Sequence, residues 1–374
     1  MAELPMRIDL VITELFVGGA ERCLAQLAGG LAANGHAVRV ASIASLPQRP
    51  QAGLVQALID REIPVASANC DRYRDAWRAQ RWLRRWFQQG RPDVVQTMLF
   101  HANTLGAFAA ARSAVPRLVG GIRVAERSRW RRFAELRAVR RMDAVVCVSD
   151  SVRRFAETEF GSQLPLTKVI PNSIDLAAVD ATAPADWTEL GWPADAQVML
   201  FVGRLHPQKG TDVLARALET LLERFSEMRC CLVGEGPQRA EWDAIAGRVG
   251  RDRVRLLGWR PDAIAWIKGC RLLVLPSRYE GMPNVVLEAM AAAKPVAVSL
   301  VEGVRELLGD ATSQQSCPAG DVAAFETLVT EIWRDPILAG RLGGLNRQQA
   351  SLHHSPRRMI EQYEQLYRSL QNGE

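Results

Sequence analysis

The chain has 374 residues, more than a single hydrophobic core ordinarily organises, so two domains are expected. Apolar residues make up 48% and charged residues 24%, which excludes an extended disordered chain. Residues 1–180 carry 25 Lys and Arg against 17 Asp and Glu, net +8, whereas residues 181–374 carry 22 against 24, net −2. An anionic partner is therefore expected on the first half: nucleic acid, a phospholipid surface or a phosphorylated substrate.

The stretch MAELPMRIDLVITELF has a short apolar run broken by Glu14, and reads as a first strand over 7–13, not a signal peptide. Strands are then expected at 37–43, 64–68, 93–98, 117–122 and 143–148, with helices over 20–33, 53–61, 75–89, 102–113, 127–141 and 151–159. The segment 175–195, rich in Ala, Asp and Pro, reads as a linker between a domain over 1–174 and a second over 196–355. In the second domain strands are expected at 197–203, 229–233, 253–257, 271–275 and 295–299, and helices near 210–225, 238–249, 262–269, 283–293 and 303–308. Residues 323–370 are helical with breaks at Pro336 and Pro356, which sets off a last helix in 356–374. Near-continuous apolar strands alternating with helices describe an α/β protein with two doubly wound, Rossmann-like parallel sheets. Such sheets bind ligands outside the carboxyl ends of their strands, so a cleft between the two edges is the expected site.

No apolar run reaches the about 18 residues that a membrane-spanning helix needs. The seven cysteines form no CxxC pair and read as small buried hydrophobes in a reducing, cytoplasmic compartment. The five histidines lack metal spacing, and His353 and His354 are expected on a solvated loop. There is no Asp-x-Asp, a frequent site for divalent ions bound to nucleotide-sugars.

Chemistry concentrates in the loops that leave strands. Gly18 and Gly19 precede the first helix, where glycine lets a ligand approach the backbone and free N–H groups favour an anion, although a strand-to-helix turn can need glycine on its own account. Gly203-Arg204-Leu205-His206-Pro207-Gln208-Lys209-Gly210 sets two cations beside glycines at a helix start, a pattern suited to pyrophosphate. Lys209 stands out, because the chain has only four lysines. Gly234-Glu235-Gly236-Pro237 and Gly258-Trp259-Arg260 follow the next two strands, where a base or ribose could sit. In Glu280-Gly281-Met282-Pro283-Asn284-Val285-Val286-Leu287-Glu288, Pro283 suits a first helical residue. Glu280 then lies in the loop, able to accept from a sugar hydroxyl, and Glu288 on the second turn, able to accept from a ribose diol. The N–H groups of residues 282–284 would face a phosphate. A helix start favours one acid electrostatically without any ligand, but that does not account for the whole string.

The string EGMPNVVLEAMAAAKPVAV resembles the Glu-x7-Glu signature of the retaining glycosyltransferases of family 4, also called group 1. The resemblance covers most of the chain, through GGAER, VCVSDSV, VIPNSID, GRLHPQKG, GEGP, LLGW and EGVRELL in the same order. It implies the GT-B fold, with two facing domains and a C-terminal helix that crosses back to the first. It also implies sugar transfer from a UDP- or GDP-sugar, with retention at the anomeric carbon and neither metal nor cofactor. By that resemblance Arg204 and Lys209 would hold the donor diphosphate, Glu288 the ribose and Glu280 the donor sugar. Gly18 and Gly19 would let the first domain approach the donor phosphates and the acceptor. Gly203, Gly234, Glu235, Trp259, Arg260, Gly281, Met282, Pro283, Asn284 and Val285 complete the expected donor site.

The chain departs from the family in places. Gln96 and Met98 stand where relatives commonly carry histidine, and His101 is taken instead as the active-site imidazole, its alternative being to cap or pack on the following helix. Val301-Glu302-Gly303 replaces a common pair of glycines. The acceptor is expected to be a glycan or lipid-linked saccharide of envelope assembly. Residues 77–87 place Ala79, Trp82, Leu83 and Trp86 on one stripe between arginines, and residues 127–141 form a second basic segment. Both could touch an anionic membrane at the inner face, or pack on the sheet. No nucleic-acid recognition motif accompanies the charge, so nucleic acid is not expected. A GT-B sugar-nucleotide epimerase and a catalytically silent nucleotide-sugar-binding protein are the competing readings, the second kept open by Met98.

Overall fold

The computed structural model describes residues 4–126 and 128–373. It divides into two compact units, one of residues up to Ser173 together with Pro356 onward, the other Ile174–Ser355.

In the first unit the strands are β1 (Arg7–Ile12), β2 (Ala37–Ser42), β3 (Val65–Ser67), β4 (Val94–Met98), β5 (Arg117–Ile122), β6 (Ala144–Cys147) and β7 (Leu166–Val169). The helices are α1 (Gly19–Ala33), α2 (Gly53–Ile59), α3 (Ala76–Gly90), α4 (Phe100–Ala110), α5 (Arg129–Val139), α6 (Asp150–Phe160) and the last helix of the chain, α16 (Pro356–Asn372). All strand pairs are parallel, in the order β3-β2-β1-β4-β5-β6-β7. The central strands β1 and β4 are buried on both faces, the consequence of helices covering each side. In α16, Met359, Tyr363, Leu366, Tyr367 and Leu370 follow helical spacing and are buried, joining Leu24, Leu27 and Leu31 of α1 in one core. The chain thus returns to its first unit, as expected.

The second unit contains α7 (Leu176–Ala181), β8 (Gln197–Val202), α8 (Thr211–Arg224), β9 (Met228–Val233), α9 (Arg239–Val249), β10 (Val254–Gly258), α10 (Ala263–Gly269), β11 (Leu272–Leu275), α11 (Asn284–Ala291), β12 (Val296–Ser299), α12 (Val304–Leu308), α13 (Thr312–Gln315), β13 (Ser316–Cys317), α14 (Val322–Arg334) and α15 (Pro336–His353). Its sheet is also parallel throughout, ordered β10-β9-β8-β11-β12-β13.

Several local expectations are corrected. Strand β7 was missed because its four residues, LTKV, are half exposed at a sheet edge and carry a polar lysine. Strand β13 has only two residues. The stretch read as linker contains α7, is capped by Asp175 and groups with the second unit. His354 is buried, not on a solvated loop: its carbonyl accepts from the Ile174 N–H at 2.9 Å. In α3 the buried stripe is Ala79, Leu83 and Phe87, while Trp82 and Trp86 stack on each other at its flank, with Arg39 4.1 Å above Trp86. That stripe faces protein. All seven cysteines are free and buried.

Candidate active site

Each sheet reverses its winding once, between β1 and β4 in the first unit and between β8 and β11 in the second. At such a switch point the two adjacent connections leave in opposite directions and open a crevice at the carboxyl edge. The loops that flank the two switch points carry Gly18, Gly19 and His101 in one unit, and the 203–210 and 276–283 segments in the other. The topology therefore puts the strongest motifs where a doubly wound sheet binds ligand.

In the second unit, Lys209 Nζ lies 2.6 Å from Glu280 Oε1 although 71 residues separate them. Ser277 Oγ donates to the same oxygen at 2.7 Å. The other oxygen of Glu280, Oε2, has no partner among the described residues. Lys209 ends a short 3-10 turn, Pro207–Lys209, capped by His206, whose Nδ1 accepts from the Gln208 N–H at 3.2 Å. Gly210 follows with φ +65°, and a Cβ there would overlap the carbonyl oxygen of Pro276. Only glycine permits that approach, which presses the lysine loop onto the glutamate loop. The two are braced further by Arg278, which pairs with Asp212 through both guanidinium nitrogens at 2.6 and 2.7 Å. That arginine holds the Asp212 carboxyl below its ordinary range. Gln208 Nε2 donates to the Tyr279 carbonyl at 3.2 Å. Arg204 is exposed and makes no ion pair among the described residues.

The remaining donor-site candidates are distributed unevenly. Gly203 touches the loop after β9: a Cβ on Gly234 would overlap the Gly203 carbonyl, and the Leu205 N–H donates to Glu235 O at 3.0 Å. The Glu235 carboxylate itself pairs with Arg239 at 2.9 Å. Arg260 pairs with Asp262 at 2.8 Å and lies 5.2 Å over Trp266, so its guanidinium is held at its own helix, two strands from the switch point. Trp259 beside it is half-buried. Gly281, Met282 and Pro283 are buried, Asn284 and Val285 half-buried, and Glu288 is buried on α11. Pro283 is the residue before the helix, not its first member. Its ψ is 108° and its carbonyl already accepts from the Val286 N–H at 3.1 Å.

In the first unit α1 starts at Gly19, directly after Gly18. A Cβ on Gly18 would overlap the carboxylate of Glu21, a buried first-turn acid that lies over this helix start. His101 is the second residue of α4, whose preceding residue Leu99 takes φ +74° to turn sharply out of β4. Burial first, and the Arg131 charge second, hold its imidazole below the ordinary value, so it is neutral at pH 7. Phe100 packs edge-on against both His101 and Trp130, at 5.0 and 5.1 Å. Gln96 accepts from the buried Tyr367 hydroxyl at 3.1 Å, and Met98 is fully buried in the core. Those two positions therefore hold the strand to α16. Asn103 is committed as well, accepting from Thr97 Oγ1 at 2.7 Å and donating to Gly121 O at 2.9 Å.

Sequence reasoning left out Ser277, Arg278 and Asp212, which support the Lys209–Glu280 pair, and the buried Arg123, which contacts Asn172. The proximity of Ser277 to Glu280 was visible. The Arg278–Asp212 pairing, 66 residues apart, was not.

Two tandem, doubly wound parallel sheets with ligand loops at both switch points define the GT-B class of glycosyltransferase. Anabaena HepE, solved in complex with UDP and glucose, shares the fold with a TM-score of 0.82 and 21% identity over 97% of this chain and 100% of that one. The family described as Glycosyltransferase Family 4 matches residues 17–178, and that described as Glycosyl transferases group 1 matches residues 196–335. The chain belongs to the group 1, family 4 glycosyltransferases. Similar curated proteins include an alpha-D-kanosaminyltransferase of Streptomyces kanamyceticus, 30% identical over 56% of this chain and 56% of that protein. Another is a phosphatidyl-myo-inositol mannosyltransferase of Mycobacterium leprae, 28% identical over 90% of each. The chain spans little more than half the length of the first of these.

Proposed function

We propose that the chain transfers a sugar from a nucleotide-sugar, a UDP- or GDP-sugar, to a glycan or lipid-linked acceptor, with retention at the anomeric carbon. The observation that carries this reading is the Lys209–Glu280 contact of 2.6 Å at the switch point of the second sheet. In this reading Lys209 and the unpaired Arg204 offset the charge that builds on the diphosphate as the C1–O bond breaks, without a divalent metal or other cofactor. Glu280 accepts from a donor-sugar hydroxyl through Oε2, Glu288 from the ribose. His101, neutral, contacts the sugar or acceptor. Gly18 and Gly19 shape the first-unit loop beside it, with phosphate contact there opposed by the Glu21 carboxylate.

The test is consumption of nucleotide-sugar with and without acceptor mixtures, after thermal-shift screening against UDP, GDP and ADP. Lys209→Ala and Glu280→Ala should each lower kcat by roughly 100-fold, the scale of losing one charge-stabilising contact in a transition state. Full activity in both would defeat the site. No turnover by the wild type would favour the silent reading, while interconversion of the sugar without transfer would favour an epimerase.

The basic first unit supports a second part of the reading, a peripheral contact with anionic membrane at the inner, cytoplasmic face. No helix among the described residues is long and apolar enough to cross a membrane. Helix α4 packs against both α3 and α5. Trp77 and Trp130 lie in the first turns of α3 and α5 and Phe133 in the second turn of α5, exposed by 58, 57 and 59%. Parallel βαβ connections bring all these helix starts to the carboxyl edge of the sheet. Arg81 lies over Trp77 and Arg137 over Phe133. Arg127, part of the same basic segment, lies outside the described residues. Co-sedimentation with anionic vesicles at low salt should fall at least about fivefold in the triple variant Trp77→Ala, Trp130→Ala, Phe133→Ala, since each aromatic side chain contributes buried apolar area. Wild type that stays in the supernatant would sink the membrane contact.

A further inference from the structure

Glu302 lies in the loop that leaves β12, and the structure turns this side chain toward the Glu280 loop. Glu302 Oε2 accepts from the backbone N–H of Glu280 at 3.3 Å. Gly303, at φ +77°, is pressed so closely on the neighbouring loop that a Cβ would overlap the carbonyl oxygen of Gly281. The 300–303 segment and the 280–282 segment are therefore one packed surface at the carboxyl ends of β11 and β12. Glu302 is half-buried there, and its second oxygen, Oε1, has no partner among the described residues. Glu280 likewise keeps Oε2 uncommitted. Lys209, whose ammonium reaches this cluster, is already bonded to Glu280 at 2.6 Å.

We infer that Glu302 is a specificity-determining residue: it fixes the Glu280 loop and lends it a second negative charge that rejects donors whose sugar carries an anionic group. A carboxylate on the sugar would enter a site where two acids face one engaged lysine, and like charges brought together at partial burial repel strongly. A neutral or amine-bearing sugar meets acceptors instead, which its hydroxyl or ammonium hydrogens can satisfy. Glycine at this position would supply neither the acceptor for the Glu280 N–H nor the charge. The inference rests on the transferase reading and goes beyond it, to the class of donor sugar.

The two functions of Glu302 separate by substitution. Glu302→Gln keeps an acceptor oxygen for the backbone N–H and removes the charge, whereas Glu302→Ala removes both. Donor consumption is measured with matched pairs, UDP-glucose against UDP-glucuronate and GDP-mannose against GDP-mannuronate, with melting curves for every variant. Wild type should prefer the neutral member by about tenfold or more in kcat/KM, the scale of one unscreened like-charge contact. Glu302→Gln should narrow that ratio at least about fivefold, chiefly through KM for the uronate, while kcat for the neutral donor stays within about threefold. Glu302→Ala should lower kcat for the neutral donor as well. An unchanged ratio in a folded Glu302→Gln variant overturns this inference alone. A wild type that consumes no UDP- or GDP-sugar with or without acceptor mixtures overturns the transferase reading, and this inference with it.

Discussion

Gly210 shows how one residue decides a site. It has no chemistry of its own, yet its φ of +65° and its missing Cβ let the lysine loop lie against Pro276. Glu280 begins four residues further on, so the distance between the ammonium and the carboxylate depends on that approach. Gly210→Ala would need both a left-handed alanine and a displaced carbonyl, and should cost about 2 kcal/mol or more in stability. A chemical-denaturation curve should show it, and donor consumption should fall more than the lost stability explains, because Lys209 moves away from Glu280. A variant with unchanged midpoint and activity would mean the loops do not depend on this contact. By contrast the Arg239–Glu235 and Arg260–Asp262 pairs are well exposed, and exposed pairs contribute little to stability.

At the scale of the element, α5 combines two opposed tendencies. Its outer side carries Trp130, Phe133 and arginines, and its inner side places Glu135 against a small cavity lined also by Asn103, Ile122, Val139, Met142 and Val145. Burial, opposed by Arg131 and reinforced by Glu159 on α6, pushes the Glu135 carboxyl up to about 7. The folded protein therefore holds a proton between the ordinary value of 4.5 and about 7 that the unfolded chain has lost. Stability from this group is full below pH 4.5 and is lost as pH rises through 7. Glu135→Gln removes that dependence. It should melt with the wild type near pH 4.5 and be more stable at pH 8 by roughly 1–3 kcal/mol. Equal melting at both pH values would mean the carboxyl is solvated.

At the scale of the whole molecule, the chain enters the second unit after Ser173 and returns to the first at Pro356. The returning helix α16 is not an appendage. Met359, Tyr363, Leu366, Tyr367 and Leu370 are buried in the first unit's core, and the Tyr367 hydroxyl donates to Gln96 on a central strand. Five such side chains at about 1.5–3 kcal/mol each match the about 5–15 kcal/mol by which a whole domain is stable. Ending the chain at Ser355 should therefore unfold the first unit while the second remains folded. Hydrogen exchange should show protection lost in β1, β4 and α1 and kept in β8 and β11. Retained protection in β1 would refute this account.

The sequence by itself determined the parallel α/β architecture, because apolar runs and helical spacing alternate all along the chain and a strand buried on both faces must be apolar throughout. It also singled out the loops at the strand ends, since glycines, a rare lysine and paired acids are legible one loop at a time. It could not reach the Lys209–Glu280 contact, the Arg278–Asp212 brace or the Glu302 hydrogen bond, each of which joins segments 22 to 71 residues apart. Nor could spacing tell that Phe87 would complete the buried stripe of α3 while Trp82 and Trp86 stack at its flank, because that depends on what the neighbouring elements present to the helix. Those outcomes were decided by strand order, which brings the loops after β8, β11 and β12 to one edge and makes neighbours of side chains that sequence keeps apart.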